Sequence, residues 1–431
     1  MSLKSWLLQR EKSSFFASFL LLMVHLFKHT PHKAKLLVHG AGYLMGYYWW
    51  TESLIAVGRL NRIREKLWMI KLRKRIARIF LKKYLHEVAL PANLQLKHRH
   101  LFLNNNFYLL KPLHVMPLKN HYVYLTAYLG IVFGNLKIVK ESVHGRWDRR
   151  NTRILHGYYR EVMDAFLRAR HQSGRLIELN DHRQYLLAHH WFNYYHWLTE
   201  TVLRLWIVRN RLNEYTILLP ESFKHVSFVQ HTLQALEVKQ VLYLPEGAIV
   251  YVKNLTLVEN KPYCGHYFPE YTQEIRALFS DYASRQSVHT INPADSIYFS
   301  RKKAGRRKLV NEEEAERLLT DHGFRIICPE DLSFIEQIEL MKKAKFLVGI
   351  HGAALTNMLF MPPGGKVLEM HRSILSKEDL HSDVYWKLAV ASGHQYYYQF
   401  CDPMHPQEDF FTADLIADIP LLRRNLEKLH L

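Results

Sequence analysis

The stretch "VGIHGAALTNMLFMPPGGKVLEM", Val348 to Met370, decides the fold class. Its first residues complete an apolar run from Phe346 to Ile350, which predicts a buried strand. That strand opens into His351, Gly352, Ala353 and Ala354. A short apolar helix pattern, "ALTNMLF", follows, then a Pro-Pro-Gly-Gly turn and a second strand, "KVLEM". Strand, helix and strand at this spacing form a parallel pair joined by a crossover.

The pattern repeats upstream. "SIYFS" predicts a strand. "NEEEAERLLTDHG" predicts a helix with Asn311 as N-cap, three acids in its first turn and Gly323 just past its end. "FRIICP" is a strand, and "SFIEQIELMKKA" a helix opening with a capping box at Ser333 and Glu336. Residues 291–431 therefore read as a doubly wound α/β domain.

Earlier in the chain, short apolar runs from Leu113 to Val143 suggest strands, and a helix is expected around Tyr159 to Arg170. "QYLLAHHWFNYYHWLTETVLRLWIV" reads as a strand passing into a long helix. "YTILLP", a helix near Phe228 to Leu236, "QVLYLP" and "LTLVE" continue the alternation, and residues 262–295 look like a crossing segment. The expected organisation is a helical, basic region over 1–112, a first Rossmann-like domain over 113–290 and a second over 291–431.

Charge is unevenly placed. The whole chain carries +20, and residues 1–90 hold 17 Lys or Arg against 4 Asp or Glu. Such a block suits a polyanion or an anionic membrane surface, though a plainly solvated basic face has the same composition. "LWMIKLRKRIARIFLKK" is a basic amphipathic helix that would lie in a membrane interface or dock on its own core. The longest N-terminal apolar run, Phe15 to Phe27, is short of the roughly 20 residues that span a bilayer. Cys264, Cys328 and Cys401 form no disulfide framework and no metal-type pair, which points to a reducing compartment. A nucleic-acid partner is not expected, because the basic residues follow one helix and one loop rather than an aromatic-lined groove.

In doubly wound sheets ligands bind beyond the carboxyl ends of the strands. His351 to Ala354 occupy such a position, where small residues admit a ligand and helix N–H groups favour an anion. Glu369, one strand later, could accept hydrogen bonds from ribose hydroxyls. In "YFSRKKAGRRKLVN", Arg301 directly follows a strand, and Arg306 and Arg307 follow a glycine turn; an arginine fork matches phosphate oxygens. On the helix "NYYHWLTETVLRLW", Asn193, His196, Glu200 and Arg204 form one polar stripe, with His196 and Glu200 spaced to hydrogen-bond as an oriented base. The plainer readings are a packed turn, a solvated loop and a structural seam. No G-x-G-x-x-G, no P-loop, no Asp-x-Asp and no H-E-x-x-H occurs, so a nicotinamide-dependent oxidoreductase or epimerase lacks its fingerprint.

These pieces, in this order, resemble glycosyltransferase family 61. The resemblance rests on residues 193–206, 297–314 and 323–370 and covers roughly 120–400. It implies a GT-B architecture, two Rossmann-like domains facing across a cleft, and an inverting transfer from a nucleotide sugar with no required cofactor or metal. It also implies that Arg301, Arg306 and the backbone at His351, Gly352, Ala353 and Ala354 hold the diphosphate, with Asn193 among the donor-binding residues. Glu369 would reach the ribose, and His196 or Glu200 would lie at the acceptor hydroxyl. The acceptor would be a glycan or lipid-linked saccharide in capsule or surface polysaccharide synthesis, at the inner face of a bacterial plasma membrane. The competing reading is a non-catalytic membrane-associated module of a polysaccharide assembly complex that keeps the nucleotide cleft for packing.

Overall fold

The computed structural model describes residues 82–430 except 136, 144–151, 172–175, 189–190, 192, 261–263, 287–291, 375–381 and 410. The expected amphipathic helix over residues 67–83 and the aromatic cluster Tyr47 to Trp50 lie outside them, save for a 3-10 turn at Lys82–Tyr84. Residues 74–431 belong to one compact α/β unit. Among the described residues no helix is long and apolar enough to cross a membrane.

A small antiparallel pair, β1 (Leu85–Glu87) and β2 (Phe107–Leu109), comes first. The first large sheet contains β3 (Val115–Thr126), β4 (Leu129–Gly134), β5 (Lys137–Ile138), β6 (Leu176–Leu179), β7 (Gln184–Leu187), β8 (Tyr215–Pro220), β9 (Gln240–Leu244) and β10 (Ala248–Val258). Its order is β5-β4-β3-β10-β7-β8-β9, and β6 also pairs with β10. The portion from β10 to β9 is parallel, as the alternating strands and helices predict. The β3–β5 part is instead an antiparallel meander joined to β10. The reason is local: tight turns of two residues link β3 to β4 and β4 to β5, and such links allow only antiparallel neighbours.

The second sheet holds β11 (Ser296–Phe299), β12 (Arg325–Ile327), β13 (Phe346–Ile350), β14 (Lys366–Arg372), β15 (Gln395–Pro403) and β16 (Leu415–Ile416). Its order is β12-β11-β13-β14-β15-β16, parallel up to β15. Counting from β11, this is the 2-1-3-4-5 order of doubly wound sheets, in which the chain changes direction between the first and third strands. β11 and β13 flank that switch point. Helix Glu312–Asp321 packs on one face with Ile419–His430, while Phe334–Met341 packs on the other with Pro269–Ser284 and Ala353–Phe360. The central strands beneath are largely buried, as the run Leu347 to Ile350 shows.

Two local expectations need adjusting. The Ser333–Glu336 capping box forms, but Asn311 makes no cap. Its side chain pairs with both backbone groups of Ala417, at 2.9 Å each, tying the loop to the β16 edge. The segment Ala353–Phe360 is a 3-10 helix rather than an α-helix. Gly323 takes φ +79° after its helix, as expected of a residue ending it in the left-handed region.

The helical stretch 194–207 carries the largest departure. Residues Trp197–Thr201 form a π-helical turn between two short α segments. One extra residue per turn shifts the phase of everything after it. Arg204 therefore leaves the expected polar stripe, is buried, and donates from Nε to the Glu259 carbonyl at 3.1 Å.

Candidate active site

Arg301 stands two residues beyond β11 and His351 one residue beyond β13, so the switch point of the second sheet places them side by side. Glu312, at the start of its helix, fixes the first loop: its Oε1 accepts from Tyr298 Oη at 3.1 Å, Ser300 Oγ at 2.7 Å and the Arg301 backbone N–H at 3.1 Å. The Arg301 guanidinium then donates from Nε to the Arg307 carbonyl and from Nη2 to the Arg306 carbonyl, both at 3.0 Å. Its Nη1 lies against Gly352, where an added Cβ would come within 2.3 Å. A side chain there would push the guanidinium aside.

The cations of this loop divide into two kinds. Lys302 pairs with Glu316 at 2.5 Å, and Lys303 pairs with Asp331; both lysines are exposed. The Arg306 side chain is exposed as well. Arg301 and Arg307 are half-buried, and among the described residues neither forms a salt bridge. Burial lowers both guanidinium pKa values, and the neighbouring Arg301 adds to the shift that brings Arg307 down to about 10. Arg307 Nε is buried without a hydrogen-bond partner, and its backbone sits at φ 58°. Two desolvated cations that repel each other and lack a carboxylate are suited to receiving an anion.

His351 is the third member. Its Nδ1 hydrogen-bonds Glu369 Oε1, while Tyr396 Oη donates to Glu369 Oε2 at 2.6 Å. Both carboxyl oxygens are thus engaged and Glu369 is wholly buried, so its side chain orients His351. Burial pushes the Glu369 carboxyl up to about 7, although His371 and Tyr396 pull the other way. Burial, Arg307 and Arg301 hold the His351 imidazole down to about 3. Below neutral pH the carboxyl therefore keeps its proton and donates it to Nδ1. The neutral imidazole then carries its own proton on Nε2, as a donor beside the two arginines. The N–H groups at the start of Ala353–Phe360 have no intrahelical partner and supply further donors.

Tyr385 stands against His351, with ring centroids 5.1 Å apart, and against Tyr195, 5.5 Å apart. It connects this anion site to the start of the 194–207 stretch. Tyr194 Oη donates to Asn357 Oδ1 at 2.6 Å, and Asn357 Nδ2 donates to Gln337 Oε1 at 2.8 Å. These bonds seat the stretch on the second sheet's helices. Asn193 caps it, its Oδ1 accepting from the Tyr195 N–H at 2.9 Å.

His196 follows directly, and His196 Nδ1 lies 3.1 Å from Glu200 Oε2. The pairing expected from their spacing is present, and Glu200 falls within the π turn. Trp191 stacks on the imidazole at 4.7 Å and 8°. Cys264 Sγ donates to Glu200 Oε1 at 3.2 Å and lies 3.9 Å from His196 Nδ1. Among the described residues two groups bring three metal-type ligand atoms within 4.8 Å of one another: His196, Glu200 and Cys264, and His351, Glu369 and His371. The second stands beside two arginines, where Coulomb repulsion opposes any cation.

Arg307 was visible in the sequence as one of several basic residues, but nothing there separated it from Arg306. Tyr385, Tyr396 and Cys264 were not singled out; the aromatic run "YYYQF" at 396–400 was the available signal for β15.

Compared with known proteins, the chain matches the family model of Glycosyltransferase 61 over residues 194–368. That span encloses His196, Glu200, Arg301, Arg307 and His351. No curated protein matches the chain.

Proposed function

We propose, from the match of residues 194–368 to the glycosyltransferase 61 family model, that the protein transfers a sugar from a nucleoside-diphosphate donor to a glycan or lipid-linked hydroxyl. The family supports glycosyl transfer from a nucleotide sugar to a glycan acceptor in general. The single observation that carries the finer reading is the unpaired, half-buried Arg301–Arg307 couple at the sheet's switch point, beside a neutral His351.

In this reading the second sheet holds the donor in a GT-B-like arrangement. Arg301, Arg307, the His351 Nε2–H and the N–H groups of Gly352, Ala353 and Ala354 receive the diphosphate, with Arg306 at the exposed rim. Negative charge grows on that diphosphate as the glycosidic bond breaks, and fixed donors in a desolvated site stabilise it as it forms. This is the charge neutralisation that a metal ion performs elsewhere, so the mechanism needs none. Glu369 acts through His351, fixing its tautomer, rather than through a ribose.

On the other side, Glu200 orients His196. The imidazole takes the proton of the acceptor hydroxyl as its oxygen attacks the anomeric carbon opposite the leaving group, which inverts the configuration. Asn193 contributes by capping the segment that carries His196. Capsule or surface polysaccharide is the proposed context, and residues 1–90 the proposed membrane-facing region, on the strength of their charge.

The test is release of nucleoside diphosphate from a panel of nucleotide sugars with saccharide acceptors and EDTA present. Turnover with one donor is the expected result. No turnover with any donor, together with no nucleotide binding, favours the non-catalytic assembly module.

A further inference from the structure

The His196, Glu200 and Cys264 cluster has more chemistry than base catalysis uses. A base pair needs an imidazole and a carboxylate. Here a thiol is added, donating to the carboxylate at 3.2 Å and lying 3.9 Å from the imidazole nitrogen that the carboxylate also approaches, at 3.1 Å. Zinc bond lengths of about 2.0–2.3 Å at tetrahedral angles place ligand atoms roughly 3.3–3.7 Å apart. The sulfur and the nitrogen stand 3.9 Å apart, and each lies near a different Glu200 oxygen, Oε1 at 3.2 Å from Sγ and Oε2 at 3.1 Å from Nδ1; they come from two elements, the 194–207 stretch and the turn at Cys264, that packing holds together.

We infer that this cluster is a zinc site, and that zinc there competes with catalysis. One sulfur, one imidazole nitrogen and one carboxylate oxygen form a borderline-soft donor set. It selects zinc over magnesium, calcium or manganese, which take oxygen ligands. Binding replaces the thiol proton: the S–H bond breaks, the S–Zn bond forms and the proton leaves to solvent, with no redox change. Water would serve as the fourth ligand, and the His196 side chain, 16% exposed, gives the entry path. Trp191, stacked on the imidazole, holds the ring in the ligating orientation.

The inhibitory half rests on His196 being the proposed base. Metal on Nδ1 leaves the other ring nitrogen protonated, and it then has no lone pair to accept the acceptor's proton. Glu200 is engaged at the same time. The metal-free protein is the active form, and zinc switches it off reversibly.

The experiment uses the full chain, stripped with EDTA and desalted, then titrated with Co²⁺ as a spectroscopic stand-in for Zn²⁺. The expected result is one equivalent bound, with a thiolate-to-cobalt charge-transfer band and tetrahedral ligand-field bands. Zn²⁺ displaces them. Cys264→Ser, checked for its fold by circular dichroism, loses the charge-transfer band although Cys328 and Cys401 remain. If wild type and Cys264→Ser take up cobalt alike, or neither gives the band, the site does not exist. Sugar transfer measured in parallel separates the two claims. A loss of activity on zinc addition that EDTA restores supports both. A thiolate–cobalt band with unchanged or raised activity overturns the inhibitory half and, with it, the assignment of His196 as base.

Discussion

Arg301 lies across Gly352 so closely that a methyl group at Gly352 would come within 2.3 Å of its Nη1. Two loops far apart in sequence, one after β11 and one after β13, therefore meet backbone to guanidinium at the sheet's switch point. Gly352 itself has extended backbone (φ 174°), which any residue adopts. Gly352→Ala should then fold normally while pushing the guanidinium aside. Misplacing such a group by about 1 Å costs on the order of a hundredfold in rate. Steady-state kinetics with an unchanged circular dichroism spectrum is the check.

Arg301→Ala removes the guanidinium outright. If it touches the leaving diphosphate, kcat/KM should fall by roughly 10²–10³, the loss seen on removing one oxyanion donor. An unchanged value would detach Arg301 from the chemistry.

Arg307→Met keeps the aliphatic stem and deletes a charge that is half-buried without a carboxylate partner. The nucleotide-free protein should lose no stability and gain up to about 1 kcal/mol, because an uncompensated charge is removed. Nucleotide binding should weaken at the same time. Thermal denaturation with and without nucleoside diphosphate reads both effects. A fall in the stability of the free protein would mean that Arg307 is structural.

The Glu369 carboxyl, raised to about 7, and the His351 imidazole, held down to about 3, have opposite effects on the pH dependence of stability. A raised carboxyl stabilises fully below its unfolded value and loses that contribution as pH rises through about 7. A depressed imidazole stabilises above its unfolded value and loses that contribution as pH falls. Between about 4.5 and 6.5 folded and unfolded forms of the pair each bind one proton, so the slopes cancel. Glu369→Gln removes only the carboxyl. Its stability relative to wild type should rise by about 1.4 kcal/mol per pH unit from pH 4.5 to 7, measured by urea denaturation. A pH-independent difference would mean that Glu369 is ionised in the fold.

His196→Ala should lower transfer by about 10²–10⁴ while leaving nucleotide-induced thermal stabilisation intact. Loss of both together would place His196 in the donor site.

Much of the second sheet was legible in the sequence, because its strands are short apolar runs separated by helical segments of ordinary length. The Ser333 box and Gly323 are local signals that local chemistry satisfies. Asn311 misled because its side chain found a long-range partner, the Ala417 backbone, in place of the helix end it precedes. The π turn at Trp197–Thr201 carries no composition signal, and it moved Arg204 out of the stripe while leaving His196 and Glu200 paired. In the candidate site, His351 and Arg301 were readable from their places after strands. Arg307 was not, since its burial depends on the turn at Gly305 and on Tyr385 from a distant helix. Glu369 lies beside His351, but both its oxygens are engaged because Tyr396, from β15, takes the second.

The most direct measurement is thermal stability of wild type and Arg307→Met against UDP, GDP, dTDP and CMP, each with EDTA. A nucleotide at about 100 times its Kd adds about 2.7 kcal/mol. The account predicts that a nucleoside diphosphate raises the wild-type Tm without metal, and that Arg307→Met loses this rise. A wild type indifferent to all four nucleotides, or a shift that Arg307→Met retains in full, would contradict it.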